Sequence, residues 1–509
     1  NYGIIGDLNT VALIGLNGSV DYMCFPNFDS PSIFAALLDA EKGGSFQLHP
    51  MFDEMKTKQL YLPDTNVLLT RFLSADGVAE ITDFMPVEEL FNGKELIRRV
   101  TSVRGEVKYE MNCMPRFNYG KSTHTTNLVS EREAIFTSTG EDRTVLRLVS
   151  SVPLQLRDND VIAEFALGPN ETADFLLEHI DKECPDKRDF EGFITHSLFE
   201  TVNYWKNWVA QSTYSGRWLD MVNRSALVLK LLISHNYGSI IAAATFSLPE
   251  SIGAGRNFDY RFTWIRDASF SIYALIRLGY TKEAGAFMHW VERLCQDIKG
   301  QNRLGIMYSI DGRRQLEERV LEHFEGYKKS SPVRVGNDAY GQLQLDIYGE
   351  LLDSVYLYNK YGDPISYDFW KDLEKQIDWL TDNWNQPDEG IWEVRGGRKN
   401  FLYSRLLVWV AFDRAIKIAE IRSFPLNERW RTERDKIYNS IFAEFWDEEK
   451  QAFMQFPGAQ TVDASTLLMP LIRFISPKDP RWLSTLSRIE EELVSDSLEY
   501  RYRPGLAAP

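Results

Sequence analysis

The sequence predicts a chain in two parts, an antiparallel β-sandwich followed by a larger region of antiparallel helices. Through roughly the first 200 residues, apolar positions alternate two apart in short runs with turn residues between them. From there to about residue 495 they recur three and four apart, the period of a helix buried on one side. The chain has 509 residues, 44% apolar and 26% charged, enough for a large core in each part. That balance excludes a disordered chain, a collagen and a small disulfide scaffold.

In the first part the β-rich runs are 67–73, 79–85, 96–100, 107–111, 144–149 and 173–177. Turn signals such as Ala75-Asp76-Gly77 and Gly168-Pro169-Asn170 punctuate them, as in an antiparallel sandwich. Segment 199–211 reads as a connecting helix and 217–235 as a longer one. The helical pattern then covers 268–278, 282–299, 338–361, 367–384, 401–421, 426–446, 461–475 and 480–494. Gly279 falls where a C-terminal cap belongs, and 498–502 reads as a strand. The division expected is 1–198 for the sandwich, 199–216 for the connector and 217–509 for the helical domain. An even-numbered barrel of helical hairpins is one arrangement this pattern permits. A solenoid is not expected, because no segment repeats at a fixed period.

Lys and Arg total 57 against 73 Asp and Glu, a net charge of -16, which argues against nucleic acid or an anionic membrane as partner. No apolar run reaches the roughly 18 to 20 residues of a membrane helix. The opening residues show no basic stretch leading into an apolar one, so a cytoplasmic location is expected. Sequons at Asn17, Asn170 and Asn223 would matter only in a secreted protein. Cys24, Cys113, Cys184 and Cys295 lie far apart with no CxxC pair, and read as small buried hydrophobes. The pattern leaves the oligomeric state open. Aromatic residues make up 13% of the chain; most belong in the core, and rings left in a cleft would stack on sugars.

Several chemistries are excluded by their missing motifs. Ser251-Ile252-Gly253-Ala254-Gly255 lacks the ending of a phosphate loop and the spacing of a dinucleotide fingerprint. There is no HExxH among the seven histidines and no Gly-x-Ser-x-Gly elbow, so neither a metal nor another cofactor is expected. What recurs is carboxylates beside aromatics. Segment 257–267 packs Phe258, Tyr260, Phe262 and Trp264 with Asp259, Arg261, Arg266 and Asp267 ahead of a helix. Asp267 either caps that helix or joins Arg266 in gripping sugar hydroxyls, the guanidinium donating and the carboxylate accepting. Segment 386–393 is a loop, given Pro387 and Gly390, and Glu393 follows Trp392. A carboxyl against an indole in a partly dry pocket has its charged form disfavoured, which suits it to donate a proton; the plain alternative is an exposed loop glutamate. Gln342, Asp346 and Glu350 fall four apart, the spacing of one solvated helix face.

Together these stretches resemble glycoside hydrolase family 15, the family of glucoamylases, glucodextranases and some microbial trehalases. The resemblance runs in order through Tyr2-Gly3-Ile4-Ile5-Gly6-Asp7, Gly18-Ser19-Val20-Asp21-Tyr22, Phe28-Asp29-Ser30-Pro31 and Ser247-Leu248-Pro249-Glu250. It continues through the 259–267 block, Pro332-Val333-Arg334-Val335-Gly336-Asn337, the 388–393 block and Trp409-Val410-Ala411-Phe412-Asp413-Arg414-Ala415. It implies an N-terminal sandwich, an (α/α)6 barrel of six helical hairpins, and hydrolysis of an α-glucosidic bond with inversion. The family's general acid falls on Glu393, after Trp392. The residues that hold the terminal glucose fall on Trp264, Arg266 and Asp267, with Tyr260, Arg334 and Trp392 from the same matched blocks expected as substrate contacts.

An inverting glycosidase also needs a carboxylate as general base, about 6.5 to 9.5 Å from the acid with a water between them. The resemblance places it in a Glu-Gly-x-Phe stretch after a strand like 498–502. Here the chain passes through Arg503-Pro504-Gly505-Leu506, and no such stretch follows. The expectation is therefore a base beyond residue 509, or one that has been lost. The function expected is an exo-acting α-glucoside hydrolase acting on α-linked oligosaccharides, with a trehalase of the same family as the alternative. A disaccharide phosphorylase and a glucan-binding protein without catalysis stand behind both.

Overall fold

The computed structural model describes residues 1–87, 94–180, 188–297, 303–393 and 397–503. Cys184 and Pro504-Gly505-Leu506 therefore lie outside the described residues. The chain divides into two compact units. The first comprises 1–236, 241–262 and 317–337, and the second 237–240, 263–316 and 338–509.

Alternation in the first unit produces two eight-stranded sheets, antiparallel at every pairing. One runs Tyr2–Gly6, Val11–Gly15, Ser19–Cys24, Ser45–Pro50, Val107–Met114, Asp160–Leu167 and Gln155–Arg157, with Ser32–Phe34 beside Ser19–Cys24. The other runs His124–Ser130, Glu133–Ser138, Val145–Ser150, Thr172–His179, Glu95–Arg104, Val78–Phe84, Leu68–Leu73 and Lys56–Tyr61. All six runs read from the sequence are strands. Ile14, Val20, Phe46 and Met111 of the first sheet share one core with Phe72, Ile81, Val100 and Phe175 of the second, so the two sheets pack as a sandwich. Through that core passes Arg98, fully buried, donating to Asp83 Oδ1 at 2.7 Å and to the carbonyls of Phe46 and Gly18 at 2.5 and 2.7 Å.

The outer face of the second sheet is apolar as well. Val67, Phe84, Ile97 and Leu176 pack against Phe190, Phe193 and Ile194 of helix α1 (Phe190–Val209), whose N-cap Asp189 accepts from the Gly192 amide. Helix α2 (Leu219–Leu231) also belongs to this unit.

In the second unit, α3 (Ile265–Leu278) and α4 (Thr281–Asp297) form a hairpin, as do α5 (Asp346–Tyr361) with α6 (Tyr367–Asn383) and α7 (Leu402–Arg422) with α8 (Arg429–Phe445); α9 (Pro480–Leu493) follows. Gly279 caps α3 as expected, at φ +98°. Helix α5 packs on both α3 and α7, while α4 lies against α6. Buried residues cover α7 on every side, the mark of an inner helix. The close approach of α5 and α7 depends on Gly349, where a Cβ would stand 2.0 Å from the Leu407 carbonyl oxygen.

Two expected helices differ. The pattern at 338–361 is broken: Asp338–Gly341 is a single 3-10 turn and α5 begins only at Asp346. Gln342 therefore lies outside the helix. Asp346 and Glu350 do share a face, but it is buried rather than solvated. At 461–475 only the 3-10 turn Ala464–Leu468 forms; Pro470, lacking an amide hydrogen, ends the run. The last expected strand is the two-residue Leu498–Glu499, paired with Val494–Ser495.

Candidate active site

The N-terminal ends of the inner helices bring the polar residues of the second unit together. Thr263–Trp264 pairs with Met307–Tyr308 and delivers the chain into α3, with Trp264 at the N-cap. Asp267 is thus in the first turn rather than at the cap, where a negative charge still meets the positive end of the helix. Gln344 precedes α5, Asp346 opens it, and Tyr403 lies in the first turn of α7.

The loop after α6 carries Glu393, and two acids tie it down. Asp388 Oδ2 accepts from the Leu345 amide at 2.8 Å, and Glu389 Oε2 from the Leu343 amide at 2.8 Å. Asp388 also pairs backbone to backbone with Lys399. Burial, and after it the charge of Asp346, push the Asp388 carboxyl up to about 7 against the pull of the Leu345 amide. Glu393 itself takes a left-handed backbone, φ +52°, a conformation that costs about 1–3 kcal/mol and clusters at functional sites.

Glu393 Oε1 accepts from Trp264 Nε1 at 3.0 Å, from Arg266 Nη2 at 3.0 Å and from Gln344 Nε2 at 3.3 Å. Its Oε2 has no hydrogen-bond partner among the described residues. The carboxyl is thus gripped on one oxygen and presents the other. The indole beside it is that of Trp264, not the sequence-adjacent Trp392 as the Trp-Glu step suggested. Trp392 turns elsewhere: its Nε1 donates to Asp463 Oδ2 at 2.9 Å, and the Arg501 guanidinium stands 5.2 Å from its ring centre. Asp463 is buried and also accepts from Gln455 Nε2 at 2.7 Å and the Ser465 amide at 2.8 Å.

Arg266 is the hub. Its Nη1 donates to Gln344 Oε1 at 2.6 Å and lies 3.5 Å from Asp346 Oδ2, and its Nε is 3.7 Å from Asp267 Oδ2. Burial works against its charge, but Asp346, Glu393, Asp267 and Glu350 together raise its pKa. Asp267 is the exposed member of the group, with 45% of its side chain accessible. The arrangement offers an accessible acid oxygen beside an arginine–aspartate pair able to hold sugar hydroxyls.

Tyr260 and Arg334 fall in the first unit. Tyr260 is half-buried, and Arg334 pairs with Glu318 at 2.9 Å and donates to the Gly255 carbonyl at 2.8 Å. Gln344, Tyr403 and Asp463 escape sequence reading. Gln344 sits in a polar-aromatic stretch that marks the region but not the residue, whereas Tyr403 and Asp463 carry no local signal at all. Among the described residues no cluster of three or more His, Cys, Asp or Glu could hold a metal, and no helix is long and apolar enough to cross a membrane.

Comparison with known proteins agrees with this geometry. The model of glycosyl hydrolases family 15 matches residues 216–506, and that of a trehalase-like N-terminal domain matches residues 2–166. A trehalase of Thermoplasma volcanium is 35% identical over 99% of this chain and 80% of its own length. Trehalase 1 of Sulfolobus acidocaldarius is 36% identical over 98% of this chain and 84% of its own length. In fold, the chain is similar to a bacterial glucoamylase crystallised with acarbose, with a TM-score of 0.71 and 14% identity over 98% of this chain and 80% of that one. The chain belongs to glycosyl hydrolases family 15 and is a glycoside hydrolase. Its fold is that of a β-sandwich followed by a helical-hairpin barrel.

Proposed function

We propose that this protein hydrolyses trehalose, the α,α-linked glucose disaccharide, with inversion at one anomeric carbon. The observation that carries the substrate is the set of relatives named trehalase, 30–36% identical over 96–99% of this chain. They favour the disaccharide over the longer α-linked oligosaccharides that the sequence put first.

In this reading Glu393 is the general acid and delivers a proton from Oε2 to the glycosidic oxygen, with Oε1 fixed by Trp264, Arg266 and Gln344. Arg266 and Asp267 hold hydroxyls of the glucose whose bond is cleaved, and Trp264, itself buried, serves through the hydrogen bond its indole gives Glu393. The general base is assigned to none of the described carboxyls. Asp346, Glu350, Asp388 and Asp463 are all buried and have their ionised forms disfavoured by burial, the opposite of what a base requires.

Inversion has a stereochemical signature. Water adds to one anomeric carbon as its bond to the bridging oxygen breaks, so that glucose appears first as the β anomer, while the leaving glucose keeps its α configuration. Early proton NMR spectra should show equal α- and β-glucose from trehalose. Glucose released from maltooligosaccharides but not from trehalose would overturn the substrate, and α-glucose alone would overturn inversion.

A further inference from the structure

Behind Arg266 lie two carboxyls that this chemistry does not use. Asp346 and Glu350 stand one turn apart on α5, 0% and 5% exposed. Near the Asp346 oxygens stand the amides of Asp346 and Ile347 that open α5 and, at 3.5 Å, Arg266; Glu350 Oε2 has no hydrogen-bond partner among the described residues, and Glu350 Oε1 accepts from the Tyr403 hydroxyl at 2.6 Å. The groups facing the pair are Arg266 and Asp267 from α3, Glu393 and Asp388 from the loop after α6, and Tyr403 from α7. Arg266 is the single cation among them, set against Asp267, Asp346, Glu350 and Glu393. Asp346 and Glu350 are the two buried carboxyls, and one guanidinium that also serves Asp267 and Glu393 cannot offset both where water is excluded, so part of the buried pair must stay protonated.

We propose that Asp346 and Glu350 are positioning residues that act through Arg266: Asp346 carries the charge that anchors the Nη1 end of the guanidinium while Nη2 serves Glu393, and Glu350 is a neutral acid that keeps a second charge away from that anchor. Two observations divide the roles. Asp346 opens α5, where the helix terminus favours an anion, and it is 3.5 Å from Arg266. Glu350 sits a turn deeper, its only hydrogen bond among the described residues coming from Tyr403. Burial pushes both carboxyls up; the charge of Asp346 adds to the rise at Glu350, which goes well above its ordinary range, while Arg266 pulls Asp346 back. Held at both ends, the guanidinium cannot swing, and the oxygen of Glu393 that faces substrate is kept in one place.

This role rests on Glu393 being the proton donor, and two variants of the full-length protein test it. In Asp346→Asn, kcat should fall about tenfold or more with KM changed less than about threefold. With a negative charge removed from behind Arg266, its positive charge acts on Glu393 less offset, so the alkaline arm of kcat/KM should move to lower pH by about half a unit. An unchanged kcat, or a fall in kcat with the alkaline arm unmoved, overturns the positioning role. In Glu350→Gln, infrared difference spectra against wild type at neutral pH should show loss of a protonated-acid carbonyl band. Loss of carboxylate bands instead overturns the assignment. That measurement needs no substrate, so it decides the charge assignment even where Asp346→Asn does not fold. Wild-type protein inactive on every α-glucoside would count against the functional reading alone.

Discussion

Replacing Asp388 with Asn should change how stability depends on pH. Asp388 is 1% exposed; its Oδ2 accepts from the Leu345 amide at 2.8 Å, and the Ser404 hydroxyl also favours its charged form. Its carboxyl is pushed from 3.8 up to about 7 in the fold, first by burial and then by the charge of Asp346. A carboxyl raised in this way is bound to its proton more tightly by the folded chain than by the unfolded one. Its contribution to stability is therefore complete below the unfolded value, falls as the pH climbs from about 4, and is gone once the pH has passed through about 7. A rise of about three units is worth about 4 kcal/mol. Asn keeps the acceptor for Leu345 and has no proton to lose, so the variant lacks this slope. Measured in parallel by urea unfolding or calorimetry from about pH 4 to about pH 8, the stability difference between Asp388→Asn and wild type should swing by about 4 kcal/mol in favour of the variant. In melting temperature the swing is roughly 10 °C for a domain of this size. A difference that stays constant across that range would refute the reasoning.

Two further outcomes follow from named contacts. Glu393→Gln should lower kcat by about 10² to 10⁴ while sugar binding, read as KM or by calorimetry, stays nearly intact; an equal loss of binding would remove the acid role. Arg98→Met should destabilise the first unit by about 3–5 kcal/mol, because Asp83 is left as a buried charge without its partner. Making Asp83 apolar as well should restore most of that loss in denaturant unfolding.

Much of the fold was legible before any coordinates. The alternation at 79–85 fits a strand, and it and the short β-rich run at 173–177 both became strands in the sandwich core. The helical period survived wherever one side of the helix met the interior. It misled at 461–475, where apolar spacing continued across Pro470 and the missing amide hydrogen decided otherwise. The spacing of Gln342, Asp346 and Glu350 was equally deceptive. It describes one face of a helix correctly, but it carries no information about which face turns to water. The close approach of Gly349 to the Leu407 carbonyl and the hydrogen bond from Tyr403 to Glu350 show that α7 closes over that face.

The sequence alone determined the chemical inventory: an acid after a tryptophan, an Arg-Asp pair ahead of a helix, and the two period textures. These are local properties, set by side-chain type and by spacing along a few turns of backbone. Tertiary structure decided which groups meet. Glu393 is 129 residues from the indole that donates to it and 49 from Gln344, and Trp392, its chain neighbour, turns to Asp463 instead. Such pairings come from the convergence of helix N-termini, a result of packing between segments far apart in the chain. The upward push on the Asp388 and Glu350 carboxyls has the same origin, since the cost of a buried charge depends on every element that excludes water around it.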